Sequence, residues 1–203
     1  MRLLPLVILA VLAFAPAADA KSTCSATGSK TVASNSSARV YTVKSGRADY
    51  GDVLLGCLRS NGKRFRLAEN YDDGLYVTSS FSKVRLNGRF VGWQVDNSDV
   101  SCKADCPPGY QTATSALALV DLSSRRRRTI DAAAVGNALV VSRTGGLAWV
   151  GQGQGALVVY TAPAGSREYT PADSGDIDPS SLSLRGSVLS WRNAGVAKTA
   201  TLR

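Results

Sequence analysis

Val140-Val141-Ser142-Arg143-Thr144-Gly145-Gly146-Leu147-Ala148-Trp149 spells out a β-hairpin: an apolar strand, a turn with glycine, and a second strand ending in tryptophan. The same grammar occurs at Val84-Arg85-Leu86-Asn87-Gly88-Arg89-Phe90-Val91-Gly92-Trp93 and at Leu182-Ser183-Leu184-Arg185-Gly186-Ser187-Val188-Leu189-Ser190-Trp191. All three tryptophans of the chain occupy this one position. Their positions, 93, 149 and 191, leave intervals of 56 and 42 residues. A recurring unit with its tryptophans in register predicts a repeat architecture.

The stretches around the hairpins extend the pattern. Arg39–Val43, Asp52–Leu58 and Lys63–Leu67 read as strands, the last two separated by the turn Ser60-Asn61-Gly62. Tyr71-Asp72-Asp73-Gly74 is a turn and Leu75–Thr78 a short strand. After Trp93 come Ala116–Leu122 and a strand through Thr129-Ile130; after Trp149 come Ala156–Tyr160 and Ser166–Tyr169; after Trp191 comes Val196–Leu202. The second and third units therefore carry four strands each. The first is expected to lack its first strand and the last its fourth. No window supports an amphipathic helix, and Asp131–Ala138 reads as a connection. Four-stranded units at this period predict an all-β fold, a small or incomplete β-propeller of about four antiparallel blade-like units. The expected boundaries are a flexible lead-in at 21–37 and a β domain at 38–203, with units at about 38–80, 81–135, 136–178 and 179–203. Each tryptophan is expected to fill the gap between neighbouring units.

The stretches Leu139–Val150 with Ala156–Tyr160, and Asp178–Leu202, resemble the propeller-type repeats of secreted bacterial proteins, broadly TolB-like or WD-like. The closing stretch is similar to the C-terminal unit of actinobacterial secreted proteins of uncharacterised function. The resemblance covers residues 38–203 and implies a propeller. It implies no activity, because propellers host many. Such propellers usually have six or more blades, whereas this chain has about four. Whether the ring closes, and with it the oligomeric state, stays open.

Met1-Arg2, the apolar run Leu3–Ala15 and the exit Ala18-Asp19-Ala20 predict a secretory signal peptide at residues 1–20. The apolar run is shorter than the roughly 20 residues a spanning helix needs. Export would place the protein outside the cell or in the envelope. Cys24, Cys57, Cys102 and Cys106 then suggest disulfides, and three pairings are possible. Cys102 and Cys106 share one loop and are natural partners, which leaves Cys24 with Cys57. Asn35-Ser36-Ser37 fits the N-glycosylation pattern, which is common by chance.

The chain has 24 basic and 15 acidic residues and a net charge of +9. The charge is spread along the sequence, with one cluster at Arg125, Arg126, Arg127 and Arg128. Few aromatics accompany it, so no nucleic-acid stacking platform is expected. The four arginines are the candidate ligand contacts, together with the cysteine loop 99–112.

There is no histidine, which excludes Ser-His-Asp and Cys-His catalysis in their usual forms and histidine-ligated metals. The remaining acid–base candidates are Asp49, Asp52, Asp72, Asp73, Asp96, Asp99, Asp173, Asp176 and Asp178, with Glu69 and Glu168. None lies in a recognisable motif, and loop aspartates commonly cap turns through the backbone. Asp173-Ser174-Gly175-Asp176-Ile177-Asp178 lacks the full calcium-loop pattern. Gly151–Gly155 joins two strands and opens no helix, so it is no dinucleotide loop. The expected function is a secreted, non-catalytic scaffold that binds a protein or cell-envelope component through its loops. No cofactor, metal or nucleic acid is expected. The alternative is an extracellular carbohydrate-active enzyme using loop aspartates.

Overall fold

A computed structural model describes residues 24–100 and 112–203. The expected signal peptide and the pairing of Cys102 with Cys106 lie outside the described residues. The described chain is strands and turns throughout: β1 (Lys30–Ser34), β2 (Ala38–Lys44), β3 (Tyr50–Leu58), β4 (Arg64–Asp72), β5 (Val77–Asn87), β6 (Phe90–Asp99), β7 (Thr112–Asp121) and β8 (Arg127–Ile130) in one eight-stranded sheet; β9 (Leu139–Val141), β10 (Leu147–Gln152), β11 (Leu157–Ala162) and β12 (Thr170–Gly175) in a second; β13 (Ile177–Arg185), β14 (Val188–Asn193) and β15 (Val196–Thr201) in a third. Strands adjacent in sequence are adjacent in each sheet, and all pairings are antiparallel. The architecture is all-β, and the sheets do not close on themselves.

The three tryptophan hairpins are β5–β6, β9–β10 and β13–β14. Their turns need glycine because Gly88, Gly145 and Gly186 have φ of 58°, 90° and 61°, a region that favours a residue without Cβ. Between β4 and β5 the ladder is reduced to Tyr71↔Ser79 and Asp72↔Thr78. The eight-stranded sheet splays there, and β1–β4 and β5–β8 enclose a core between them. That core holds Ala38, Val40, Leu54, Leu58 and Leu67 from the first half and Val91, Trp93, Ala118, Val120 and Leu122 from the second.

Alternation along the strands builds the next layers. On β7, Ala118 and Val120 face that first core, while Leu117 and Leu119 turn the other way to meet Leu139, Val141, Leu147 and Trp149 of the second sheet. On β10, Leu147 and Trp149 face back, while Ala148 and Val150 face forward onto Ile177, Leu189, Trp191 and Leu202. The middle layers are thus buried on both faces, which is why their strands read as continuous apolar runs. Each tryptophan points back at the preceding layer, and Trp93 and Trp149 are fully buried.

Three expectations change. The segment 21–37 is not merely a lead-in: it contains β1, which pairs with β2 and supplies the strand expected to be missing from the first unit. The boundary placed between residues 80 and 81 falls inside β5, and the one placed between 178 and 179 falls inside β13. The three strands of the last sheet leave the outer edge of β15 unpaired. Lys198 sits on this edge, a charge of the kind that discourages further strand addition.

The outer face of the first unit is closed by the N-terminal segment. Cys24 is bonded to Cys57 on β3, and both pack with Tyr41. Arg39 holds the segment from β2, its Nη1 donating to the Cys24 carbonyl at 2.8 Å and its Nη2 to Ser29 Oγ at 3.0 Å. The Arg39 guanidinium also lies 4.7 Å from the centre of the Tyr41 ring.

Candidate functional site

A meander of antiparallel strands sends successive turns to opposite ends. One end collects the turns at 35–37, 59–63, 88–89, 122–126, 142–146, 163–169 and 186–187, together with the C-terminal residues. The other collects those at 45–49, 73–76, 131–138, 153–156 and 194–195, together with Asp176. This sorting separates the charges. The first end carries Arg59, Lys63, Arg89, Arg125, Arg126, Arg143, Arg167 and Arg203 against Glu168 and Asp121. Among the described residues, the second carries Asp49, Asp72, Asp73, Asp99, Asp131 and Asp176 against Lys30, Lys44 and Arg47. At the acidic end the Tyr71 phenol is pushed above its ordinary value, first by burial and then by Asp73, Tyr50, Asp49 and Asp72.

Clefts open between the turns of the basic end. The largest, about 1070 Å³, runs from Asn35–Ser37 past Ser60 and Asn87–Phe90 to Arg143 and Thr144. A second, about 500 Å³, lies between the 122–126 and 163–169 turns and is lined by Asp121, Ser124, Arg126, Arg127, Arg128 and Arg167. Both share Phe90 and Thr144. Arg143 and Thr144 also border a third, about 450 Å³, beside Gly186, Ser187 and Arg203.

The four consecutive arginines do not act as one patch. Arg127 and Arg128 open β8 and so point to opposite faces, whereas Arg125 and Arg126 lie in the turn before it. Arg125 and Arg127 turn toward the first core, where Arg125 lies 4.5 Å from the Phe65 ring centre and Arg127 lies 5.1 Å from that of Trp93. Arg127 also donates from Nη1 to the Leu67 carbonyl at 3.2 Å. Arg128 turns the other way and is buried. Its Nη1 donates to the carbonyls of Pro163, at 2.8 Å, and Ser166, and its Nη2 to that of Gly145 at 2.5 Å. Burial lowers its pKa below the ordinary arginine value, yet a guanidinium keeps its proton in proteins. Arg128 is therefore a buried cation on β8 that ties two turns, 142–146 and 163–169, together through three carbonyls. Only Arg126 presents its charge freely among the four.

Several of the carboxylates are engaged in local structure. Asp73 accepts the backbone N–H groups of Leu75, Tyr76 and Val77 at 2.9, 2.7 and 3.0 Å. These bonds, that from Val77 foremost, hold its carboxyl below the ordinary range. Asp96 accepts from Gln94 Nε2 and Ser115 Oγ, each at 2.6 Å. Asp178 accepts from Ser180, Asp72 from the Gly74 N–H, and Asp52 pairs with Lys44 at 2.8 Å. Among the described residues no group of three His, Cys, Asp or Glu side chains is placed to hold a metal.

Asp173 joins the second sheet to the third. It accepts the Trp191 indole N–H at 2.7 Å and Asn193 Nδ2 at 3.0 Å. The Trp191 bond is the first cause holding its pKa below the ordinary carboxylate value. A depressed folded-state pKa stabilises the fold above the unfolded value of roughly 3.9, and the contribution is lost as pH falls through the folded value. Asp173→Ala is expected to cost about 1–3 kcal/mol at pH 7 by stranding the indole donor. Urea titrations should show the gap to wild type shrinking below about pH 4. An unchanged gap at pH 3 would show that the charge on Asp173 contributes nothing.

No family model and no curated protein matches this chain. Among solved structures, a chain of "Crystal structure of Nidogen/Laminin Complex" is similar over 81% of this chain and 56% of that one, at 14% identity and a TM-score of 0.37. This chain thus spans little more than half of its length. A likeness of that grade carries no argument about fold or function.

Arg89, Arg143 and Arg167 were missed as candidates because each stands alone in sequence. A signal was present: each lies in a turn of the same parity. Counting strands and marking alternate turns would have grouped them.

Proposed function

We propose that this protein is an exported, non-catalytic binding scaffold that engages an anionic cell-envelope component, or a protein with an acidic surface, through its basic end. The observation that carries the reading is the sorting of isolated arginines onto one end, around the connected clefts. Such a field attracts and orients an anionic partner. Asp73 and Asp173 are committed to turn and inter-sheet hydrogen bonds, and the chain has no histidine, which favours binding over catalysis.

A small propeller-like stack of four blade-like units fits the packing. The weak β4–β5 ladder divides the first sheet into two four-stranded halves, and each tryptophan fills the space against the preceding layer. Export fits the Cys24–Cys57 disulfide, since such bonds persist in oxidising compartments. No helix among the described residues is long and apolar enough to cross a membrane.

Co-sedimentation with envelope fractions tests the reading. Wild type should bind at about 50 mM salt and release at about 500 mM, because salt screens surface charge. Charge reversal at the basic end (Arg126→Glu with Arg143→Glu) should weaken binding at least about tenfold, the factor that corresponds to 1.4 kcal/mol. Reversal at the acidic end (Asp49→Lys with Asp131→Lys) should not. Equal loss in both variants, or binding indifferent to salt, would overturn the proposal.

A further inference from the structure

The 500 Å³ cleft between the 122–126 and 163–169 turns differs from the rest of the basic end, because its charge is built in from below. Arg128 forms its floor. It is buried to 9% exposure, and among the described residues all its partners are carbonyl oxygens and its Nε has no hydrogen-bond partner. A buried cation is ordinarily matched by a carboxylate. The nearest acid on the cleft, Asp121, is already taken. Arg89 Nε lies 3.0 Å from its Oδ1 and Ser123 donates to it twice. Partial burial works against its ionised form, but these hydrogen bonds and Arg89 keep its carboxyl below the ordinary range. The cleft therefore has no free negative charge to answer Arg128.

Arg127 also lines the space but turns its guanidinium to Trp93 and the Leu67 carbonyl, which leaves two further guanidiniums to face it. Arg126, in the turn just before β8, lines the cleft together with Arg128, and Arg167 comes from the opposing turn. Both are exposed, and neither guanidinium has a partner among the described residues. Two planar forks above a buried cation suit a tetrahedral oxyanion, whose three terminal oxygens can be shared between forks; one fork would satisfy a carboxylate. The volume exceeds that of a bare ion and falls in the range of pockets for small organic ligands. Phe90, the cleft's aromatic, is covered by the Arg89 guanidinium at 5.2 Å and by the Gly145 backbone, so it offers no stacking surface for a nucleobase. The rest of the lining is Leu119 with the small residues Ser124, Thr144, Gly145 and Gly165, two of which bring hydroxyls. Such a wall suits the hydroxyls of a sugar.

We infer that this cleft seats a sulfate or phosphate ester carried on a saccharide, with Arg126 and Arg167 holding the ester oxygens over the field of Arg128. This deepens the proposed function and rests on it for the anionic nature of the partner.

The test is calorimetric titration of the whole exported chain with glucose 6-sulfate and glucose 6-phosphate. Glucose and glucuronate serve as the neutral and carboxylate controls. Both esters should bind, glucose should not, and glucuronate should be at least about tenfold weaker, the factor equivalent to 1.4 kcal/mol. The phosphate ester should tighten between about pH 5 and 7.5, because its second ionisation lies near pH 6, and the sulfate ester should not change. Arg126→Gln with Arg167→Gln should abolish ester binding without moving the melting temperature, since both side chains are exposed. Arg47→Gln, at the opposite end of the molecule, should leave it intact.

Ester binding unchanged in the double variant, or glucuronate binding equally well, would overturn the inference. So would the absence of ester binding by wild type. If wild type binds no ester yet still sediments with envelope material in a salt-dependent way, the cleft assignment falls and the scaffold reading stands. If the esters bind as expected but envelope binding ignores charge reversal, the cleft stands and the scaffold reading falls.

Discussion

Trp149→Ala is expected to lower the free energy of unfolding by about 3–5 kcal/mol, the usual range for truncating a buried tryptophan. Trp149 has no exposed surface and lies in the core shared by the first and second sheets, among Leu117, Leu119, Ile130, Leu139 and Leu147. Its ring stacks on Tyr160 at 5.5 Å between centroids and meets Tyr169 edge-on at 5.2 Å. Alanine would remove both contacts and open a void that the flanking sheets cannot close without parting. The indole N–H has no acceptor among the described residues, so the whole loss is packing and none of it is a hydrogen bond. That distinguishes it from Trp191, whose N–H is bound by Asp173. Trp149→Phe should therefore cost much less, about 1–2 kcal/mol, because a ring remains against Tyr160. Guanidinium denaturation followed by far-ultraviolet circular dichroism measures both. A loss below about 1 kcal/mol in the alanine variant would mean that the two sheets do not share this core.

Removing the Cys24–Cys57 bond by double substitution to serine is expected to cost about 3–4 kcal/mol. The bond closes a loop with a sequence separation of 33 residues, and the chain-entropy relation for a loop of that length supplies most of the effect. The rest concerns the face it covers. Cys24 and Cys57 shield Tyr41, and Val43 and Leu55 pack against the same cluster. Without the bond the N-terminal segment is held by Arg39 on Cys24 and Ser29 and by Arg64 Nη2 on the Ser25 carbonyl. Such part-exposed bonds are individually weak. The first unit should then exchange its amide hydrogens faster than the second sheet, which keeps neighbours on both faces. Equal midpoints for the oxidised and serine forms would show that the segment contributes nothing to the fold.

The tryptophan hairpins were legible because a strand–turn–strand unit is a local object. Apolar alternation, a glycine with positive φ and a large residue at a fixed place are visible within ten residues. β1 was not legible. Lys30–Ser34 is an edge strand with almost no buried side chain, so its composition resembles that of a loop, and only its pairing with β2 makes it a strand. The unit boundary expected near residue 80 was misplaced for a related reason. β5 is continuous through it, and the break lies in the thin ladder between β4 and β5, which depends on how the two halves pack.

The candidate site divides the same way. Arg125–Arg128 stood out in sequence as a block of like charge, but alternation along β8 spends Arg127 on Trp93 and Arg128 on carbonyls, and the turn before it lays Arg125 on Phe65. The open charges at the basic end come instead from residues such as Arg126, Arg143 and Arg167, far apart in the chain.

By itself, the sequence determined the all-β class, the repeating hairpin and the identity of the residues that fill the gaps between layers, because these follow from side-chain period and turn chemistry within short windows. Only the tertiary structure decided where the charge goes. A net charge of +9 spread along the chain becomes a basic end and an acidic end because antiparallel strands return alternate turns to the same side, and that sorting belongs to the order of the strands rather than to any one stretch of them.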